Sequence, residues 1–231
     1  MIIIEGKNKL SILSVLERPR NSIIYKVTDG TNSFVMKASL TPSDTDREAF
    51  EDEYLSISRI THQALPKYYA YYPCIRIPDA MEPVPAVLME YVDGVPLSLI
   101  EHLTTKQLKK YILDLGDTLL VLFQQGILYL DLHPGNLIIQ NNQIRLVDFT
   151  KAYYYQRNPN PSYMPKTSYQ LNQHLPGQQL LIQALTLLLL HLPEQSFMQG
   201  IPPSLIRLGE HPHQGITFSE FLNKIDREWV T

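Results

Sequence analysis

The sequence predicts an α+β protein of two lobes: a small antiparallel β-sheet with one helix, over a mainly helical lobe. Three observations predict it. Short segments rich in Ile, Val and Tyr, parted by turn residues, fill the first third of the chain. Near residue 93 the pattern changes to long helical periodicity. That switch carries no Gly-, Ser- or Pro-rich linker, so 1–92 and 93–231 read as an N-terminal and a C-terminal lobe of one domain.

Met1-Ile2-Ile3-Ile4 is apolar but is broken at once by Glu5, Gly6 and Lys7, and so reads as a first strand rather than a signal peptide. Residues 11–16 and 22–28 mix Ile, Val and Tyr with polar residues, and 33–38 continues the pattern beyond a turn at Asp29-Gly30. These are three antiparallel strands. Thr41-Pro42-Ser43-Asp44 offers capping side chains, and 47–60 is helical in spacing, with Phe50, Tyr54, Ile57 and Ile60 on one face. Residues 68–72 and 86–91 add two more strands.

In the second lobe, Thr104 or Thr105 caps a helix running to Gln124, with Tyr111, Leu115, Thr118, Leu119 and Leu122 as its buried stripe. Gly126 ends it. Residues 127–130 lead into a polar loop, and 137–139 with 144–147 make a hairpin through Asn141-Asn142. Pro159, Pro161 and Pro165 mark an irregular segment. A very apolar helix over 178–191 and a last helix over 217–229 follow.

Composition narrows the function classes. A chain of 231 residues with 44% hydrophobic content suits one compact unit or two small lobes. A net charge of −3 lacks the basic imprint of a nucleic-acid binder. The most apolar stretch, 180–192, holds Gln183 and Thr186 and is too short for membrane insertion. A single cysteine, Cys74, cannot form an internal disulfide, which points to a reducing, cytoplasmic setting. Nothing in the pattern sets an oligomeric state. His211, His213 and Asp226 read as a surface loop before a helix rather than a metal site. The tyrosine clusters at 68–72 and 153–155 read as strand residues and packing.

The chemistry is concentrated in Asp131-Leu132-His133-Pro134-Gly135-Asn136 and, beyond the hairpin, Asp148-Phe149-Thr150. An Asp, a nearby Asn and a second Asp after a hairpin together make a phosphoryl-transfer site. The first carboxylate orients and deprotonates a hydroxyl. The Asn and the second Asp bring the oxygen ligands that Mg²⁺ prefers, leaving its other positions to phosphates and water.

These two motifs resemble the catalytic loop and metal-binding motif of the protein-kinase-like superfamily. The match extends to a short, bacterial-type, eukaryotic-like Ser/Thr protein kinase. The resemblance runs from about residue 10 to 228 and implies ATP and Mg²⁺ as cofactors. Phe34-Val35-Met36-Lys37-Ala38 resembles the family's Val-Ala-Ile-Lys, which makes Lys37 the phosphate-holding lysine. Glu53 is its chosen helix partner, with Glu48 and Glu51 competing. Leu88-Met89-Glu90-Tyr91-Val92-Asp93-Gly94 resembles the hinge, where backbone N–H and C=O groups of Glu90 and Val92 would bind adenine, with Met89 behind it. Asp131 becomes the catalytic base, and Asn136 and Asp148 the metal ligands. His133 stands where many protein Ser/Thr kinases have a lysine and where aminoglycoside-type kinases often have histidine; it either meets the phosphate or packs the loop. Lys151 reads as a solvated charge.

The chain departs from the family in several places. Glu17-Arg18-Pro19-Arg20-Asn21-Ser22 replaces the glycine-rich phosphate loop, leaving Asn21 and Ser22 as donors and Arg18 or Arg20 as charge. Tyr129-Leu130 replaces the His-Arg before the catalytic Asp, which argues against switching by activation-loop phosphorylation. Tyr163-Met164-Pro165-Lys166 lacks the usual glutamate, Gln214 stands in for that residue's arginine partner, and Gln179 replaces a helix-starting Asp. The expected function is ATP- and Mg²⁺-dependent phosphoryl transfer to a protein Ser or Thr. A small-molecule hydroxyl kinase and a pseudokinase that binds a regulatory partner are the alternatives.

Overall fold

The computed structural model describes residues 2–3, 9–155, 170–172, 175, 177–192, 201–210 and 216–229, with 2–3 and 209–210 described by their backbone alone. The motif around Tyr163–Lys166, Pro159, Pro161, His211, His213 and Gln214 lie outside these residues. The chain divides into two compact units, Met1–Val92 and Asp93–Thr231.

The first unit is an antiparallel sheet of six strands: β1 (Ile2–Ile3), β2 (Lys9–Glu17), β3 (Ser22–Thr28), β4 (Ser33–Ser39), β5 (Tyr68–Ile75) and β6 (Val84–Glu90). Their order is β1-β2-β3-β4-β6-β5. Strand alternation builds one core face from Ile23, Tyr25 and Val27 of β3, Met36 and Ala38 of β4, and Val84, Ala86 and Leu88 of β6. Lys37 is one residue out of phase with that set and therefore projects from the opposite face. Helix α1 (Asp44–Ile57) covers that face, turning Phe50, Glu53 and Ile57 inward. Ser43 caps it by accepting the Asp46 N–H, and Asp44 and Asp46 lie in its positive first turn. The helix begins three residues before the apolar periodicity does, because polar first-turn residues leave no periodic signal. It ends at Ile57, and Ile60 closes only a single turn onto the Ile57 carbonyl.

The second unit opens with a two-residue strand, β7 (Val95–Pro96), then helix α2 (Thr105–Gln124). Thr104 and Gln107 form a reciprocal capping box at its start. Its inner stripe includes Leu108, Tyr111, Ile112, Leu115, Leu119 and Leu122, all buried. Gly126, at φ +82°, turns the chain out of the helix through the left-handed region. After β8 (Ile127–Tyr129) come β9 (Leu137–Gln140) and β10 (Gln143–Leu146), joined by Asn141 and Asn142 at φ +50° and +59°. This is a two-residue turn of the kind that twisted strands favour. Helix α2 anchors it: Lys110 Nζ donates to the Asn142 carbonyl at 3.0 Å, and the Tyr111 hydroxyl donates to Asn142 Oδ1 at 2.7 Å. β11 (Ala152–Tyr154) pairs antiparallel with β8.

Helices α3 (Gly177–Leu190), α4 (Pro203–Glu210) and α5 (Phe218–Glu228) complete the unit. Gln179 is buried, and its amide donates to the Ile216 carbonyl at 3.2 Å, tying α3 to the start of α5. No helix among the described residues is long and apolar enough to cross a membrane.

Candidate active site

In the first unit, Lys37 of β4 and Glu53 of α1 form an ion pair, Nζ to Oε2 at 2.7 Å. Both residues are almost fully buried, at 3% and 2% exposure. Burying two charges is tolerated only when each is well hydrogen-bonded. The second oxygen, Oε1, accepts the Tyr68 hydroxyl at 2.7 Å, so β5 also braces the pair. Glu48 and Glu51 are exposed on the same helix. The result is a lysine ammonium held in one position by two neighbouring elements.

At the end of β6, Met89 and Val92 are buried. The Glu90 N–H donates to the Lys67 carbonyl at 2.8 Å, and the Lys67 N–H returns a bond to Glu90 Oε2 at 3.0 Å. The Glu90 N–H is therefore committed within the unit and is not a spare donor for a base. Asn21 is exposed, with its carbonyl accepting the Leu40 N–H at 3.0 Å, and half-buried Ser22 pairs with Ser39. Arg18 is ion-paired to Asp79, which also accepts the Tyr25 hydroxyl. Burial, and then the bond to Asp79, raises the Tyr25 phenol well above its ordinary value. The Tyr25 and Arg18 hydrogen bonds hold the Asp79 carboxyl below its own.

In the second unit, β8 delivers Asp131, which is 3% exposed. The loop then makes a short 3-10 turn, Pro134–Asn136, with the His133 ring accepting the Gly135 N–H at 3.2 Å through Nδ1. Asn136 is buried and both of its side-chain hydrogen bonds come from Nδ2, to the Asp131 carbonyl and to the Tyr129 hydroxyl, each at 3.1 Å. An amide nitrogen committed in this way leaves the side-chain oxygen as a hard ligand. The Tyr129 hydroxyl in turn faces the carbonyls of Val147 and Asp148, each at 3.0 Å. The Val147 N–H closes the frame on the Asn136 carbonyl at 2.9 Å.

Asp148 has φ +59°, a left-handed conformation that a short polar residue tolerates best among non-glycines. Its Oδ1 accepts the Thr150 N–H at 3.1 Å and the Thr150 hydroxyl. The Phe149 ring is buried edge-on against Tyr129 at 5.1 Å. One aromatic side chain thus ties the loop bearing Asp131 and Asn136 to the turn bearing Asp148. The donor set fits a small hard cation that takes a carboxylate and an amide oxygen and completes its shell with phosphate oxygens and water.

Lys151 corrects the sequence reading. Its Nζ lies 3.1 Å from Asp131 Oδ2, so it is ion-paired rather than merely solvated. Three tyrosine and lysine roles were missed from sequence: Tyr68 on Glu53, Tyr129 on Asn136, and Lys151 on Asp131. A strand tyrosine carries no local sign of where its hydroxyl goes. The adjacency of Lys151 to the Asp148 motif was the only available signal for that residue.

The β-rich unit thus holds a buried lysine–carboxylate pair, and the helical unit a Tyr129-centred hydrogen-bond frame linking Asn136 to the Asp131 and Asp148 backbone. The protein kinase domain matches residues 20–174, and the chain belongs to that family. Proteins of that family in general use ATP and a divalent cation. The chain is 26% identical over 169 residues to serine/threonine-protein kinase OXI1 of Arabidopsis thaliana, covering 67% of this chain and 40% of that protein. It is 30% identical over 120 residues to serine/threonine-protein kinase PknB of Mycobacterium tuberculosis, covering 50% and 19%. It is 30% identical over 114 residues to the proto-oncogene serine/threonine-protein kinase mos of Sus scrofa, covering 41% and 32%. The chain therefore spans less than half the length of each of these relatives.

Proposed function

We propose that this chain is a protein Ser/Thr kinase that transfers the γ-phosphoryl of ATP, with Mg²⁺, to a hydroxyl of a protein substrate in a reducing, cytoplasmic compartment. The observation that carries the reading is the Tyr129-centred frame, because it commits the Asn136 nitrogen and so leaves its oxygen for a cation beside Asp148. The 1–92 unit is the nucleotide-binding half: Lys37, braced by Glu53, holds phosphates, while Met89, the Val92 backbone and the Glu90 carbonyl receive adenine. Asn21 and Ser22 supply what phosphate contact a glycine-free loop allows. The 93–231 unit carries the catalytic loop. There Asp131 orients the acceptor hydroxyl and takes its proton, and Asn136 and Asp148 hold the metal. The bound Mg²⁺ supplies charge neutralisation at the phosphates. Fixed charges set before the reaction account for most of the rate in such sites.

The three relatives, all serine/threonine-protein kinases, support the choice of acceptor. A pseudokinase reading is favoured by one feature: Arg18 of the glycine-free loop is engaged by Asp79 rather than offered to a phosphate. Thermal melting with ATP, with and without Mg²⁺, separates the two readings. A Mg²⁺-dependent rise that Asp148→Asn abolishes supports the kinase site through ligand linkage. No rise at millimolar ATP favours the binding module. ADP release over protein and sugar-like acceptors then separates a protein kinase from a small-molecule hydroxyl kinase. Full activity in Asp131→Ala would sink the assignment of the base.

A further inference from the structure

We propose that Lys151 is a catalytic residue, the cation that accompanies Asp131 and meets the transferred phosphoryl; the inference rests on the kinase reading above. Asp131 is 3% exposed, and a carboxylate so buried is held by charged or hydrogen-bonding partners, of which the Lys151 ammonium is one. His133, inside the loop, is farther away. Its Nδ1 accepts the Gly135 N–H, and its Nε2 stands 3.9 Å from Asp131 Oδ2, beyond hydrogen-bond reach. Lys151 Nζ stands at 3.1 Å from the same oxygen.

The backbone makes this approach a fixed feature. Lys151 immediately precedes β11, whose Ala152 is paired with Tyr129 of β8, two residues before Asp131. The ladder therefore sets the lysine beside the end of the strand that delivers the base. The Lys151 side chain is 43% exposed against 4% for that of Asp131, so the ammonium sits on the open side of a buried carboxylate. A hydroxyl that hydrogen-bonds to Asp131 Oδ2 would share that oxygen with this ammonium.

During transfer the hydroxyl oxygen forms a bond to Pγ, and the bond from Pγ to the β–γ bridging oxygen breaks. That bond's electron pair leaves on ADP, and the hydroxyl proton passes to Asp131. Negative charge spreads over the phosphoryl oxygens in that step, and a lysine ammonium at its edge stabilises it without moving.

The test uses the full chain with Mg²⁺-ATP, dephosphorylated casein and the chain itself as acceptors, and ADP release as the rate. Lys151→Ala is expected to lower kcat by about 100-fold, the loss typical of a removed charge-stabilising donor. Its Mg²⁺-ATP melting shift and KM for ATP should stay near wild type, which shows that the variant folds and binds. Lys151→Arg should recover part of the rate. So should His133→Lys in the Lys151→Ala background, by returning an ammonium to the loop. An unchanged kcat in Lys151→Ala overturns the inference and leaves the kinase reading standing, as does a loss that neither variant recovers. A wild-type chain that releases no ADP with any acceptor overturns both.

Discussion

The Tyr68 hydroxyl donates to Glu53 Oε1 at 2.7 Å, on the carboxylate whose other oxygen receives Lys37 at 2.7 Å. A strand residue with no charge of its own is thus the third member of the lysine–glutamate pair. Without it, one oxygen of a carboxylate at 2% exposure loses its hydroxyl donor. Tyr68→Phe keeps the ring and removes that donor. Hydrogen bonds to charged groups contribute roughly 1.5–3 kcal/mol, so a loss of that size is expected in chemical denaturation. The KM for ATP should rise as Lys37 loses its fixed position, with kcat less affected. A variant as stable as wild type would remove Tyr68 from the account.

Tyr129 bridges both metal-ligand candidates, since its hydroxyl accepts from Asn136 and faces the Asp148 carbonyl. Tyr129→Phe preserves the edge-on contact with Phe149 and deletes only the oxygen. Groups that orient metal ligands typically matter by 10–100-fold in affinity. The Mg²⁺ concentration giving half of the ATP-dependent melting shift should therefore rise about tenfold. An unchanged Mg²⁺ midpoint would show that Asn136 is oriented by the Asp131 carbonyl alone.

The Arg18–Asp79–Tyr25 cluster makes a pH prediction with a definite sign. Tyr25 and Arg18 lower the Asp79 carboxyl below its ordinary 3.8, so its stabilisation is present above that value and is lost as pH falls through the folded value. Burial raises the Tyr25 phenol above 10.0, so its contribution is present below pH 10.0 and is lost as pH climbs. Asp79→Asn should be less stable than wild type at about pH 6, and the gap should narrow by about pH 3. A gap that is constant with pH would mean that the carboxylate charge contributes nothing there.

The fold was legible where periodicity and turn chemistry agree. The β3–β4 register follows from alternation about Asp29-Gly30, and the Asn141-Asn142 hairpin from residues that accept positive φ. Very short strands were not legible: β7 and β11 have two and three residues, and only tertiary pairing makes them strands. At the site, residue types and spacing marked Asp131, Asn136 and Asp148, while Lys37 and Glu53 were marked only through the resemblance to protein kinases, with Glu48 and Glu51 competing. Contacts that help to fix them come from Tyr68, Tyr129 and Lys151, hydrogen bonds or an ion pair between residues 7 to 20 positions apart that leave no local pattern. Arg18 shows the reverse case, a loop cation with the right charge for a phosphate whose partner, Asp79, lies 61 residues away.

Asp148 carries two separable demands, a charge and a left-handed backbone at φ +59°. Asp148→Asn meets the second, because Asn tolerates that region and keeps an oxygen for the Thr150 N–H and hydroxyl. It removes the charge that would attract a divalent cation. Asp148→Ala fails on both counts, since alanine has neither the oxygen nor the tolerance, and a strained backbone residue costs about 1–3 kcal/mol. Without nucleotide, Asp148→Asn should therefore melt near wild type, while Asp148→Ala should melt several degrees lower. With Mg²⁺-ATP, both should lose the metal-dependent part of the shift. If Asp148→Ala without nucleotide melts with the wild type, the positive φ is not under strain, and the Tyr129 bonds to the neighbouring carbonyls are enough to hold the turn whatever residue occupies it.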